Sequence, residues 1–244
     1  MSTSSSLLTR LTHTMRTLGT VNGLLYLVDQ ACRKATRDTV RLVKYRLVAQ
    51  PIGTGLSAPV RAGRETFIEP AGPDHALAIE FPRPAHIIAA RYAAGATCLV
   101  ARVKDRFAGY LWWQREQYDE DEVRCHFVLA SSHDSAWDFD VYVAPRYRLG
   151  RAMALLWQAA ELRLAAEGVR WSFSRISAFN AESLASHARL GAVSCAQALF
   201  FVVGPVQVSL FTCAPYFHLS AGARSAPRLR LLPPTASPSA ATPR

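Results

Sequence analysis

The sequence holds 244 residues, half of them apolar and 19% charged, which is enough for one large core with extensions. It has no apolar run of the roughly 18 residues that a membrane span needs, and its five scattered cysteines lack CxxC spacing, which argues against a disulfide frame or zinc site and for a reduced, cytoplasmic protein. Of the net +10, residues 1–36 carry +3 and residues 216–244 carry +4, so the excess lies at the two ends and a folded nucleic-acid-binding face is not expected.

Leu24, Leu27, Val28, Ala31 and Ala35 recur at helical spacing, with Asn22 as a candidate cap. This stripe is expected to pack on the main body, making residues 1–36 an N-terminal extension with an amphipathic helix. Val40 to Ile52 reads as a strand rich in β-branched and long apolar residues. Residues 53–85 hold many Gly, Pro and Ala and show no period. Ile87 to Ala94 predicts a short helix stopped by Gly95. Thr97 to Val103 and Phe107 to Trp113 predict a hairpin around Lys104, Asp105 and Arg106. The acidic run from Glu116 to Glu122 is expected as an exposed loop, with a further strand from Val123 to Leu129.

From Trp137 the pattern sharpens. Trp137, Phe139, Val141 and Val143 alternate with Asp138, Asp140 and Tyr142, the period of a half-buried strand, and Pro145 ends it. A long Ala- and Leu-rich helix follows from Gly150 to Glu167, closed by Gly168. Val169 to Ile176 is a strand, Glu182 to Leu190 a helix closed by Gly191, and Ala192 to Val203 with Val206 to Cys213 a last strand pair. This order predicts an α/β (α+β) fold over residues 37–215, a mixed central sheet flanked by helices. Ala221 to Arg244 is mostly Ala, Pro, Ser and Arg, so residues 216–244 are expected to form a disordered tail.

Two stretches carry chemistry. Val141 to Met153, VYVAPRYRLGRAM, puts Arg146, Arg148 and Arg151 at the start of the long helix. A helix start already presents unpaired amides and the positive dipole end, so cations there are misplaced unless an anion such as a phosphate arrives. A solvated arginine cluster is the other reading of the same residues. Asn180 to Ala192, NAESLASHARLGA, has an N-cap in Asn180 and a stop in Gly191. An ordinary amphipathic helix explains most of it, but does not require His187.

Taken together these stretches resemble the GNAT acyltransferase superfamily over about residues 83–205. The family's helix pattern NxxAxxxYxxxGF is met by Asn180, Ser183, Leu190, Gly191 and Ala192, with His187 in the Tyr place. Its loop pattern [Q/R]xxGx[G/A] lies over Arg148 to Met153, with Arg151 and Met153 at the small-residue positions. A register one residue earlier places Gly150 and Ala152 there instead and loses the arginine.

The resemblance implies a GNAT-like fold, an acyl-CoA cosubstrate (acetyl-CoA or another acyl-CoA), an amine acceptor and no metal. The strand holding Val141, Tyr142 and Val143 would part from the strand after Gly168 and bind pantetheine through its backbone. The pyrophosphate would lie over Arg148, Leu149, Gly150, Arg151, Ala152 and Met153, with Asn180 and Ser183 also at the cofactor. Asp138 and Asp140 stand where a general base is needed, or form strand ion pairs; His187 is the candidate acid for the leaving thiolate, or a surface residue. Tyr110, Trp112 and Trp113 with the acidic run would line an acceptor cleft suited to a cationic amine, or belong to the core. The alternative function is a non-catalytic acyl-CoA-binding or interaction module. The oligomeric state is not legible.

Overall fold

The computed structural model describes residues 11–53, 59–148, 150–222 and 224–235. The elements in order are α1 (residues 11–18), α2 (Thr20–Thr36), β1 (Val40–Pro51), β2 (Thr66–Ala71), α3 (Ala85–Ala93), β3 (Thr97–Val103), β4 (Arg106–Gln114), β5 (Gln117–Asp119), β6 (His126–Leu129), β7 (Ser135–Val143), α4 (Ala152–Ala166), β8 (Trp171–Ser177), α5 (Ala181–Arg189), β9 (Val193–Val203), β10 (Val206–Phe211), β11 (Phe217–Ala221) and β12 (Arg228–Leu231). Nine strands form a mixed sheet in the order β11-β10-β9-β1-β8-β7-β4-β3-β2, and β12-β6-β5 form a small sheet. The fold is mixed α/β, as the order of elements predicts. The chain divides into two compact units, one of residues 1–48, 119–128 and 175–231, the other of 49–118, 129–174 and 232–244.

In the second unit β3 and β4 form the expected hairpin. Lys104 and Asp105 both take positive φ (50° and 59°), the handedness that a two-residue turn needs to match the strand twist. The unit also holds β2, a strand that residues 53–85 did not announce; its Pro70 is tolerated because β2 ends the sheet order. One face of the sheet, with Leu99, Ala101, Leu111, Trp113 and Ala136, packs on Ala152, Leu156, Ala160 and Leu164 of α4. The other face, with Val100, Phe107, Tyr110 and Trp112, packs on Phe81 and on Ile88 of α3. Tyr110, Trp112 and Trp113 are therefore core residues and do not line a cleft: each is at most 2% exposed. Large rings on a central strand bury most surface when helices cover both faces.

In the first unit α2 departs from expectation. Leu24, Val28, Ala31 and Ala35 face outward, while Gly23 and Asp29 are buried. The helix is anchored by polar groups instead: Asp29 accepts from Arg33 Nε and from the Leu42 amide (2.8 Å). Asn22 is not the cap, a position held by Gly19; its Oδ1 accepts from Lys44 Nζ. The reading of residues 216–244 as an unstructured tail is also corrected. β11 joins the large sheet and β12 the small one, because Arg228-Leu229-Arg230-Leu231 alternates: Leu229 and Leu231 are at most 2% exposed and both arginines face out. Burying each leucine contributes about 1.5–3 kcal/mol. Residues 236–244 lie outside the described residues.

Candidate functional site

β7 is shaped by its neighbours on both edges. Against β4 the register passes from Trp112 opposite Asp140 to Trp113 opposite Asp138, so Phe139 is the extra residue of a β-bulge. The bulge breaks the strict alternation read from the sequence. Val141 and Val143 pack toward α4, whereas Phe139 joins Tyr142 on the opposite face, where Tyr142 stacks on Phe107. Near the end of the strand Gly109 lies opposite Val143, and a Cβ there would come 2.4 Å from the Tyr142 carbonyl oxygen. Only glycine lets the two backbones approach this closely.

Against β8 the ladder is short. It is parallel and pairs Ser135, Ala136 and Trp137 with Trp171, Ser172 and Phe173. β7 runs on beyond it, laddered to β4 through Tyr142 and Val143. The pairs with β8 run from Ser135 to Trp137, and those with β4 continue to Val143.

The chain then turns through a 3-10 turn, Pro145–Tyr147, and enters α4 at Ala152, two residues later than the sequence suggests. The three arginines are exposed and each reaches a backbone carbonyl: Arg146 to Phe107 O, Arg148 Nε to Val143 O (3.2 Å) and Arg151 to Arg61 O (3.0 Å). Beside the helix start lies a cavity of about 430 Å³, lined by Gly63, Thr66, Val103, Tyr147, Gly150, Arg151, Ala152 and Leu155. Gly150 and Ala152 face it, whereas Met153 is 40% exposed and Arg148 is not among its lining. Leu149 lies outside the described residues.

Asp138 and Asp140 stand two positions apart in entirely different surroundings. Asp138 is 5% exposed and its Oδ2 accepts from the hydroxyls of Ser172 (2.8 Å) and Ser174 (3.0 Å), at the point where the β8 ladder ends. Asp140 accepts from Arg83 Nε (3.0 Å), Arg91 (2.8 Å) and the Tyr110 hydroxyl (3.0 Å). Burial alone would raise the Asp140 pKa, but the bonds and charges of the two arginines outweigh it and hold the carboxyl below its ordinary range. Burial, followed by the Asp140 charge, pushes the Tyr110 phenol up to about 12. Asp140 is therefore a carboxylate locked in its ionised form and occupied by donors, which suits structure better than proton transfer.

In the first unit Asn180 caps α5 as expected, its Oδ1 accepting from the Ser183 amide (3.0 Å). Ser183 and His187 are half-buried, and His187 Nδ1 donates to the Ser183 carbonyl (3.0 Å), since a carbonyl can only accept. Asn180, Ser183 and His187 thus lie on the first two turns of the helix, bonded through the Ser183 backbone. The acidic run is exposed at Glu116, Asp119, Asp121 and Glu122, as expected, but it holds the short strand β5 and turns the Glu120 side chain inward. Glu120 has a side chain with no exposed surface, ion-paired with Arg175, and Glu122 accepts from the Tyr45 hydroxyl (2.6 Å) and pairs with Arg33 (3.5 Å). These partners lie 55 to 89 residues away in sequence, where no local pattern reveals them. Among the described residues no three His, Cys, Asp or Glu side chains gather as metal ligands, and no helix is long and apolar enough to cross a membrane.

No protein-family model matches the sequence, and no curated protein matches it. Solved structures similar to it include GNAT proteins, at low identity. One is a tandem GNAT protein from the clavulanic acid biosynthesis pathway, at 14% identity and a TM-score of 0.49 over 70% of this chain and 57% of that one. The chain thus spans little more than half the length of that protein. Another is a putative GNAT-family acetyltransferase from Novosphingobium aromaticivorans, at 18% identity and TM-score 0.41 over 68% and 66%. A third is a GNAT-family acetyltransferase from Elizabethkingia anophelis with acetyl-CoA bound, at 10% identity and TM-score 0.33 over 46% and 65%.

Proposed function

We propose that the protein binds an acyl-CoA along β7 and the start of α4 and transfers the acyl group to an amine. The observation that carries this reading is the run from β7 into α4. The strand outlasts its parallel ladder at Trp137 and feeds an arginine-bearing turn, and the helix then starts over a cavity faced by Gly150, Arg151 and Ala152. Backbone groups from Asp138 to Val143 suit the amides of pantetheine, and the helix start suits its phosphates. In this reading Arg148 and Arg151 exchange neutral carbonyl acceptors for charged phosphate oxygens, which form the stronger bond.

Transfer requires the amine to lose a proton and attack the thioester carbon; the tetrahedral adduct then expels the CoA thiolate, which takes up a proton. Asp138 is the better base of the two aspartates. Its serine partners are neutral hydroxyls that can rotate, whereas Asp140 is held by two guanidiniums. His187 keeps its Nδ1–H on the Ser183 carbonyl within α5, and no step of the transfer is assigned to it. The acceptor is an unidentified amine; with Glu120 and Glu122 paired internally, the motive for a cationic one is gone.

Calorimetric titration with acetyl-CoA, followed by measurement of thiol released across a panel of amines, tests the reading. Arg151→Glu is expected to weaken acetyl-CoA binding at least tenfold, in line with about 1.5–3 kcal/mol for a charge-assisted bond. Asp138→Asn should lower turnover while binding persists. Absence of acetyl-CoA binding would sink the proposal. Binding without thiol release to any amine would leave the protein as a non-catalytic acyl-CoA-binding module.

A further inference from the structure

Where the three strands β9, β10 and β11 pair, over residues 199–203, 206–210 and 217–221, their outward face is apolar. The registers set Leu199, Leu210 and Phe217 in one row, Phe201, Val208 and Leu219 in the next, and Val203, Val206 and Ala221 in a third. Phe201, Val203, Val206, Leu210, Phe217 and Leu219 are between 41% and 57% exposed. The opposite face of the same strands carries the polar side chains Gln207, Ser209 and Ser220, and these are buried. They are satisfied there: Gln207 bonds both backbone groups of Arg124 and the Ser209 hydroxyl. A sheet with one wet face is expected to put polar residues outside. Here the inner face buries Phe200, Val202 and Phe211 beside those polar groups, and the outer face is apolar as well, which burial within a single chain does not explain.

We infer that this face is the contact surface of a homodimer, in which the β9–β10–β11 sheets of two copies pack against each other. The charge pattern selects the partner. From Val193 to Gly222 the sequence has no Asp, Glu, Lys or Arg, in a chain of net +10. A charged partner would find no counter-charge on this face, and two copies would repel least there. A second copy presents the same rows of Leu, Phe and Val, which is what a two-fold, self-complementary interface needs.

The area fits as well. At these exposures the nine side chains with neighbouring Tyr216 present on the order of 700 Å², near the ~800 Å² that each partner gives to a standard interface. Apolar patches of that size are seldom left open on monomers. Two such sheets can stack at about 10 Å with their side chains interdigitated.

Sedimentation velocity of the full chain over a concentration series tests this. The dimer mass is expected, falling toward the monomer on dilution. Phe201→Asp should give the monomer mass at concentrations where the parent is dimeric. Its circular dichroism should be unchanged, since Phe201 is already 42% exposed, and its melting should match that of the parent at dilutions where the parent too is monomeric. Should that variant fail to fold, Leu219→Asp on β11 carries the same test. Leu162→Asp, also exposed but on α4, should stay dimeric. A monomer at every concentration would overturn the inference, as would a dimer that survives both substitutions. So would a parent that does not self-associate but co-sediments with phosphatidylcholine vesicles through Phe201, because the face would then meet lipid.

Discussion

Asp140 and Glu120 are built from the same parts and end in opposite states. Each is a buried carboxylate set against a guanidinium and a tyrosine hydroxyl. Asp140 has two guanidiniums, Arg83 and Arg91, with the Tyr110 hydroxyl. Glu120 has one, Arg175, with the Tyr45 hydroxyl at 3.4 Å and the acidic neighbours Asp121 and Glu122. Burial favours the neutral form in both. Two cations overcome it at Asp140, whose pKa is lowered. At Glu120 burial prevails over Arg175, with Asp121 adding to it, and the carboxyl is pushed up to about 7. A near-neutral carboxyl is therefore no sign of an active site by itself: the Glu120 side chain has no exposed surface through which a substrate could reach it.

The largest effect is expected where this balance is removed outright. Asp140→Ala leaves Arg91, 9% exposed, without its counter-charge, and loss of one partner from a buried pair costs about 3–5 kcal/mol. Contacts of the Arg91 guanidinium with the rings of Trp112 (5.4 Å) and Phe139 (5.0 Å) hold the expected loss to the lower end. Urea unfolding at neutral pH measures it. A loss under about 1 kcal/mol would mean that the rings, not Asp140, hold Arg91.

Glu120→Gln should act through pH. Because the folded-state pKa is raised, the native protein binds the Glu120 proton more tightly than the unfolded chain does between pH 4.5 and about 7. The parent therefore loses stability as pH rises through that window, and the cost is fully present above it. The variant has no such proton. Its stability relative to the parent should rise between the two ends of the window by on the order of 3 kcal/mol. Parallel pH profiles for the two proteins would show that Glu120 is ionised in the fold at ordinary values, and would erase its contrast with Asp140.

Neither carboxylate was legible as to state, although much around them was. The β3–β4 hairpin, β7, α4 and the Asn180 cap all follow from period and from local turn or cap chemistry, which act over a few residues. The failures share a cause. The bulge at Phe139 is invisible because a run of alternating residue types reads straight through an extra residue. β2 hides behind Pro70 and β12 behind its two arginines, both tolerable because half of each short strand faces out. Glu120 looked exposed because glutamates usually are, and its burial depends on Arg175, 55 residues later. Outward Leu24 and Val28 on α2 mislead in the same way, since a helical stripe tells which residues share a face but not which way it turns. At the candidate site the arginine cluster and Asp138 were legible by position, whereas their carbonyl and serine partners were not.

The smallest effect sharpens the contrast most. Arg83 is 43% exposed, so its pair with Asp140 is close to a surface ion pair, and Arg83→Ala should cost no more than about 1 kcal/mol at neutral pH. Yet it turns Asp140 into a one-cation site like Glu120, keeping only Arg91. A lowered folded-state pKa gives stability that is present above the unfolded value and lost as pH falls through the folded one. With Arg83 gone, burial has one opponent fewer and the Asp140 carboxyl should titrate at higher pH. The acid limb of the stability profile should then move upward, although neutral-pH stability hardly changes. Carboxyl-carbon NMR of the parent and variant through the acid range would read the shift directly. An unmoved Asp140 resonance would mean that Arg91 alone fixes its ionised state, and that depth of burial, not the number of cations, separates it from Glu120.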